Sequence, residues 1–322
     1  MTSEDRLTFI VPGDAPPQIQ RSPHLDRLSA RGEVVLYTDR PASMADQIER
    51  VREADVILNT RSSVRWPAEA LEGLPKLRLI ATCSIGTDNI DLEAAARLGV
   101  AVSNQPGRTA GVVAEHIVAL MFAAAKRAAF QTAELKAGRW TKMENVLLRG
   151  KTMGVVGTGS VGAEVARLAQ ALGMHVIAWT FHPSPQRASD LGVTFVELDD
   201  LLRQADVVSL HVRLTDDSAG MLGARELGLI KQGALIVNAG RGELVDTGAL
   251  VEALASGHLA GAGLDVFDTE PLPTDHPLLA CRQVELTPHV ADATPEGADL
   301  LNEGVVDNVL SFLDGNPRNL VT

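Results

Sequence analysis

The stretch Lys151-Thr-Met-Gly-Val-Val-Gly157-Thr-Gly159-Ser-Val-Gly162-Ala-Glu-Val-Ala-Arg167-Leu-Ala constrains this chain more than any other. It reads as a short apolar strand, a glycine-rich turn and an amphipathic helix opening at Val161. Gly157 and Gly159 let the backbone turn tightly and approach a pyrophosphate, and Gly162 lets the helix pack closely on its strand. A diphosphate fits such a helix N-terminus, where free N–H groups and the positive dipole end converge. A lone GxGxxG arises easily among 28 glycines. Its context gives this one weight, because a strand precedes it, a helix follows, and a second strand, His175 to Trp179, comes after.

Strand and helix patterns alternate on both sides of this motif. Before it, Leu7 to Val11, Val34 to Tyr37, Val56 to Leu58, Leu77 to Ala81 and Val100 to Val102 read as strands, with Met44 to Arg52 and Leu92 to Leu98 as helices between them. After a break at Asn104-Gln-Pro-Gly107, the nearly all-apolar helix Val112 to Arg127 predicts burial in more than one direction, as a connector between domains or at a subunit interface. From Thr152 a second alternation follows, with strands at Met153 to Val156, Val176 to Trp179, Val207 to Leu210, Leu235 to Asn238, Gly263 to Val266 and Val284 to Thr287. Thr294 to Leu313 reads as a final long helix. Such alternation predicts an α/β protein of two doubly wound parallel-sheet domains.

At 322 residues the chain exceeds what one core usually serves. Only 3% of it is aromatic, so the cores are built from Val, Leu, Ile and Ala, as buried parallel strands require. A formal charge of -12 without a long basic run argues against a nucleic-acid or anionic-membrane surface. Cys83 and Cys281 belong to no CxxC or Cys/His cluster, so neither a disulfide framework nor a metal site is expected, and a reducing cytoplasm is the simplest home. The N-terminal region, with Glu4 and Asp5, lacks a signal-peptide pattern, and no stretch approaches the ~20 apolar residues of a membrane span.

Ligands of doubly wound sheets bind beyond the carboxyl ends of the strands, so polar residues there mark the chemistry. Asn238-Ala-Gly-Arg241-Gly, Asp265-Val-Phe-Asp-Thr-Glu270-Pro and Thr287-Pro-His289 follow three successive predicted strands. Singly, Arg241 reads as a turn residue, Glu270 as a solvated acid and His289 as an ordinary hydrogen-bonded histidine. Together, an arginine, a carboxylate and an imidazole at adjacent ends of one nucleotide-binding sheet point to a site.

With these motifs in order, the chain resembles the D-isomer-specific 2-hydroxyacid dehydrogenase family over nearly its whole length. The resemblance rests on Gly150 to Gly162, on Asn238-Ala-Gly-Arg241-Gly-Glu-Leu-Val-Asp246, on Leu264-Asp265-Val-Phe267-Asp-Thr-Glu270-Pro271, on Leu286-Thr-Pro-His289, and on the loop Ser84-Ile-Gly86-Thr-Asp88-Asn-Ile-Asp91. It implies a Rossmann cofactor domain, 104–290, inserted into a discontinuous flavodoxin-like substrate domain, 1–103 and 291–322, usually in a homodimer. The activity it implies is hydride transfer between NAD(P)H and a small 2-oxoacid such as glyoxylate, hydroxypyruvate or 3-phosphohydroxypyruvate. The implied catalytic residues are Arg241, Glu270 and His289, with Ile85 and Gly86 joining Arg241 on the substrate. The implied cofactor residues are Gly157, Gly159, Ser160, Val161, Gly162, Thr180, His211, Ala239 and Asp265, the last at the nicotinamide carboxamide.

Residue chemistry supports those roles. Arg241 offers planar donors to hold a carboxylate and polarise the C2 oxygen. His289 can exchange the hydroxyl proton, since an imidazole titrates near ~6.5. Glu270 would orient the ring and stabilise its cation.

Some positions depart from the family. Thr180 stands where NAD-specific members carry an acid for the adenosine ribose, leaving NAD or NADP open. Val290-Ala291-Asp292 replaces two frequent glycines, Ser84 a frequent glycine, and Arg213 a frequent proline. Arg61 and Lys142 are similar to basic positions near the substrate of phosphoglycerate dehydrogenases, or are surface ion-pair residues. No regulatory domain is expected after Thr322. The competing reading from the same fold is a dinucleotide-sensing, non-catalytic corepressor, disfavoured by the intact catalytic positions and the absence of a peptide-recruiting extension.

Overall fold

The computed structural model describes residues 6–61 and 64–322. Glu4 and Asp5, named above, lie outside the described residues. The chain divides into two units: residues 1–109 with 293–322, and Ala110–Asp292.

In the first unit the order is β1 Leu7–Val11, α1 Leu25–Ser29, β2 Gly32–Leu36, α2 Met44–Val51, β3 Val56–Asn59, α3 Ala68–Glu72, β4 Leu79–Thr82, α4 Leu92–Arg97 and β5 Ala101–Ser103. The strands pair in parallel in the order β2-β1-β3-β4-β5, the flavodoxin-like arrangement. Because side chains alternate along a strand, Phe9, Val11, Val56 and Leu58 pack on one face while Ile10, Ile57 and Ile80 pack on the other. Both faces are buried, which explains why these strands are continuous apolar runs. Helices start where side chains cap them: Ser43 accepts the Asp46 N–H before α2, and Asp91 the Ala94 N–H before α4.

The second unit runs α5 Ala110–Lys126, α6 Ala128–Lys136, β6 Thr152–Val156, α7 Ser160–Ala171, β7 His175–Trp179, α8 Pro185–Leu191, β8 Thr194–Phe195, α9 Leu198–Gln204, β9 Val207–Leu210, α10 Ala224–Leu229, β10 Leu235–Asn238, α11 Thr247–Ala255, β11 Gly261–Leu264 and β12 Val284–Leu286. Its all-parallel sheet has the order β12-β11-β10-β9-β6-β7-β8. Topology reverses between β6 and β9, the switch point where this architecture binds ligands. One face carries Val156, Val208, Leu210, Ile236 and Leu264; the other packs Met153, Val155, Leu235 and Val237 against Ala114, Ile117, Leu120 and Met121 of α5. Finally α12, Pro295–Leu313, capped by Thr294, returns to the first unit and buries Leu301, Val305, Val306 and Val309 on its sheet.

Several elements differ from expectation. β11 lies two residues earlier than predicted, so Asp265 and Val266 follow the strand. Gly261 lies outside the predicted strand, yet a Cβ there would come within 2.6 Å of the Gln283 carbonyl, and one at Gly263 within 3.0 Å of Leu120 Cβ. Close packing, not a turn, demands both glycines. The predicted long helix stops at Lys126, because Arg127 takes a left-handed φ of 51° before α6 begins. The short elements α1, α3 and β8 escape the pattern reading.

Candidate active site

The glycine-rich turn joins β6 to α7 by the geometry its sequence demands. Gly157 has φ +96°, and a Cβ there would lie 2.8 Å from the His211 carbonyl carbon and the Val212 nitrogen. At Gly162, inside α7, a Cβ would stand 2.0 Å from the Gly157 carbonyl oxygen. Gly159, the N-cap, is different: a Cβ there would meet nothing within 4 Å. That open space above the helix N-terminus, beside exposed Ser160 and half-buried Val161, fits a pyrophosphate cradle. Thr180 follows β7, His211 follows β9 and Ala239 follows β10, all half-buried at the carboxyl edge of the sheet. Burial pushes the His211 pKa down to about 3, so its ring is neutral.

Arg241, Glu270 and His289 sit beyond β10, β11 and β12. His289 Nδ1 lies 2.7 Å from Glu270 Oε2, and Glu270 Oε1 accepts the Phe267 N–H at 3.0 Å. A carboxylate accepts, so Nδ1 carries the hydrogen and Nε2 remains for proton exchange. The hydrogen bond that His289 donates to Glu270 raises the His289 pKa; burial opposes it, the Glu270 charge adds to it, Arg241 lowers it and Asp265 raises it, leaving the net shift upward. Burial alone would raise the Glu270 pKa, but hydrogen bonds from His289 and Phe267, with the charges of His289 and Arg241, bring it below its usual value. The Arg241 guanidinium donates from Nη1 to the Gly240 carbonyl at 2.8 Å. Asn238 Nδ2 donates to the Arg241 carbonyl at 2.7 Å, which braces the turn carrying the arginine.

Ile85 and Gly86 belong to the first unit, in the bend after β4. Asn104 Nδ2 donates to the Ile85 carbonyl at 2.8 Å and Ser84 Oγ to that of Gly86 at 2.8 Å, so main-chain carbonyls in this loop are held from behind. Arg61 is also in the first unit, whereas Lys142 is exposed in the second. No group of three or more His, Cys, Asp or Glu among the described residues could hold a metal ion. Sequence reasoning missed His116, on α5, whose Nε2 lies 2.9 Å from Thr287 Oγ1 and 3.4 Å from Asp265 Oδ1. A lone histidine in an apolar helix gives no pattern to find it by.

Comparison with known proteins decides the family. The profile for the D-isomer specific 2-hydroxyacid dehydrogenase, NAD binding domain, matches residues 118–291. The chain belongs to the D-isomer specific 2-hydroxyacid dehydrogenase family. A glyoxylate reductase of Aeropyrum pernix is 39% identical over 292 residues, covering 88% of this dehydrogenase and 87% of that protein. A D-3-phosphoglycerate dehydrogenase of Mycobacterium leprae is 40% identical over 303 residues, 88% of this chain but 57% of the relative. The crystal structure of a glyoxylate reductase from Paecilomyes thermophila superposes with a TM-score of 0.89 at 30% identity, covering 98% of both chains. This dehydrogenase is accordingly an oxidoreductase that uses NAD or NADP on the 2-oxoacid/2-hydroxyacid pair.

Proposed function

We propose that this dehydrogenase reduces a small, unphosphorylated 2-oxoacid such as glyoxylate or hydroxypyruvate, with Arg241, Glu270 and His289 as its catalytic residues. The observation that carries the site is the 2.7 Å contact between His289 Nδ1 and Glu270 Oε2, beside the charge of Arg241. Support for the substrate class comes from the relative named for glyoxylate, matched along nearly its whole length. When bound, the reduced nicotinamide supplies a hydride to C2. Arg241 holds the carboxylate and draws charge onto the C2 oxygen, and His289 Nε2 delivers the proton that completes the hydroxyl. Glu270 keeps the ring oriented and favours its protonated form before transfer. In the first unit, the main-chain N–H groups of Ile85 and Gly86 are proposed as further carboxylate donors.

The cofactor is assigned to Gly157, Gly159, Ser160, Val161, Gly162, Thr180, His211 and Ala239, with Asp265, which has no accessible surface, acting from behind by holding the 290–291 amides rather than by direct contact. NADPH is proposed to serve at least as well as NADH, because Thr180 puts no negative charge where a 2'-phosphate would lie. Arg187, whose Nη2 donates to the Thr158 carbonyl at 2.8 Å, adds positive charge near the glycine-rich turn. A homodimer is proposed through residues 128–147, where α6 buries none of its side chains and Leu135, Trp140 and Leu147 are exposed. The free Cys83 and Cys281 support a reducing cytoplasm. Among the described residues, no helix is long and apolar enough to cross a membrane.

The test is a panel of 2-oxoacids followed by oxidation of NADPH and NADH. Glyoxylate or hydroxypyruvate should give the highest kcat/KM; a preference for 3-phosphohydroxypyruvate of more than about tenfold, roughly 1.4 kcal/mol, would overturn the substrate assignment.

A further inference from the structure

The turn that carries His289 is tied to one buried carboxylate. Asp265 has no accessible surface. Its main-chain carbonyl accepts the His289 N–H at 2.8 Å, its Oδ1 the Val290 N–H at 2.9 Å, and its Oδ2 the Ala291 N–H at 2.9 Å. Three consecutive amides are thereby fixed on a single residue. Such anchoring is needed, because His289 has φ 52°, a left-handed conformation that a non-glycine residue keeps only when its surroundings impose it.

Asp265 is in turn held by two side chains outside the proton-transfer pair. Thr287 Oγ1 lies 2.5 Å from Asp265 Oδ1 and 2.9 Å from His116 Nε2. A hydroxyl has one hydrogen. If it went to His116, two oxygens would face each other at 2.5 Å beside a full negative charge, so it goes to the carboxylate. The hydroxyl oxygen must then accept from His116, which makes Nε2 the protonated nitrogen of that ring. Donors therefore run in one direction, from His116 on α5 through Thr287 past β12 to Asp265 past β11. Val290 and Ala291 provide the amides that end on the same carboxylate.

We propose that His116 and Thr287 are positioning residues for His289, acting through Asp265. The inference rests on the reading of His289 as the proton donor. Removing the Thr287 hydroxyl withdraws a charge-assisted hydrogen bond from a carboxylate that water does not reach, and the carboxylate must seek another donor. The amides of 289–291 move with it, the imidazole leaves its aim, and its contact with Glu270 loosens. Proton delivery depends on that aim far more than ligand binding does.

The experiment compares Thr287→Val, Thr287→Ser, His116→Leu, His116→Gln and His289→Ala with wild type in reduction of the best 2-oxoacid. It records kcat, the oxoacid KM, cofactor Kd by fluorescence titration, and the pH profile of kcat. Thr287→Val and His116→Leu should lower kcat about tenfold to a hundredfold while KM and Kd stay within about threefold. The descending limb should move to lower pH, because His289 faces Glu270, Arg241 and Asp265 and loses part of its hold on the carboxylates. Thr287→Ser keeps the hydroxyl, and His116→Gln can donate from a comparable place, so both should recover kcat and the limb. Should Thr287→Val fail to fold, the His116 pair decides alone. The inference is overturned if kcat in Thr287→Val and His116→Leu stays within about threefold of wild type, or if it falls with an unmoved limb and no recovery in His116→Gln. A near-normal His289→Ala would remove the underlying site reading, whereas a crippled His289→Ala beside unaffected positioning variants would remove this inference alone.

Discussion

His289 holds one hydrogen on Nδ1 for Glu270, and in the proposed reading it exchanges another at Nε2, so the charge on its ring determines which direction of the reaction it can serve. Reduction draws a proton from the cationic ring; oxidation returns one to the neutral ring. The Glu270 hydrogen bond raises the pKa above its ordinary value, which keeps the donor form populated at higher pH than a free histidine would. Arg241 is the other residue whose chemistry cannot be copied. In the proposed role its planar fork meets two substrate oxygens at once, whereas a lysine ammonium is a single point of charge. Arg241→Lys is expected to lower kcat/KM for the best oxoacid at least tenfold while cofactor Kd changes less than about threefold. Fluorescence titration with steady-state assays checks both numbers, and retention of half the wild-type efficiency would contradict the role. The types of these residues were legible because they follow three predicted strands. Their pairing was not, since Glu270 and His289 are 19 positions apart and His116 and Thr287 are 171 apart. Only folding brings such groups within a hydrogen bond.

At the scale of elements, buried strands announced themselves as Val, Leu and Ile runs, and β9 and β10 begin and end where the pattern places them. α6 did not, because a helix with no buried side chain has no amphipathic stripe to read. Likewise β8, at two residues, is too short to show a period. Gly261 hid the true start of β11, because glycine marks both turns and close approaches. The glycine at 162 is a close approach of the severest kind, with backbone 2.0 Å from its would-be Cβ. Gly162→Ala should displace α7 from the turn and weaken cofactor binding at least tenfold, whereas Gly159→Ala, with nothing within 4 Å, should fold normally. Thermal melts and cofactor titrations of the two variants distinguish these outcomes; equal folding stability of both would contradict the packing argument. The loop after β7 governs cofactor choice in the proposed reading. Thr180→Asp should restore repulsion against a 2'-phosphate and shift the NADPH/NADH ratio of kcat/KM toward NADH. A wild-type preference for NADH above about a hundredfold, ~2.7 kcal/mol, would show that the loop discriminates by other means.

For the whole molecule, two doubly wound units arise from one chain because α12 returns to the sheet begun at β1, an arrangement implied by resemblance and invisible to local periodicity. The exposed apolar residues of 128–147 lead to an expected mass of two chains in light scattering, and to monomers for a Leu135→Asp, Trp140→Ser double variant. A wild-type monomer at micromolar concentration would contradict the proposed dimer. The central claim is that Glu270 tunes His289 as the proton donor for oxoacid reduction. It is tested most directly by the pH dependence of kcat/KM in wild type and Glu270→Gln, after a deuterated cofactor has shown that hydride transfer limits the rate. The wild-type rate should hold at low pH and fall as pH rises through a His289 pKa above ~6.5, and the same limb should lie at lower pH in Glu270→Gln. A limb that stays in place or moves to higher pH in Glu270→Gln would contradict it.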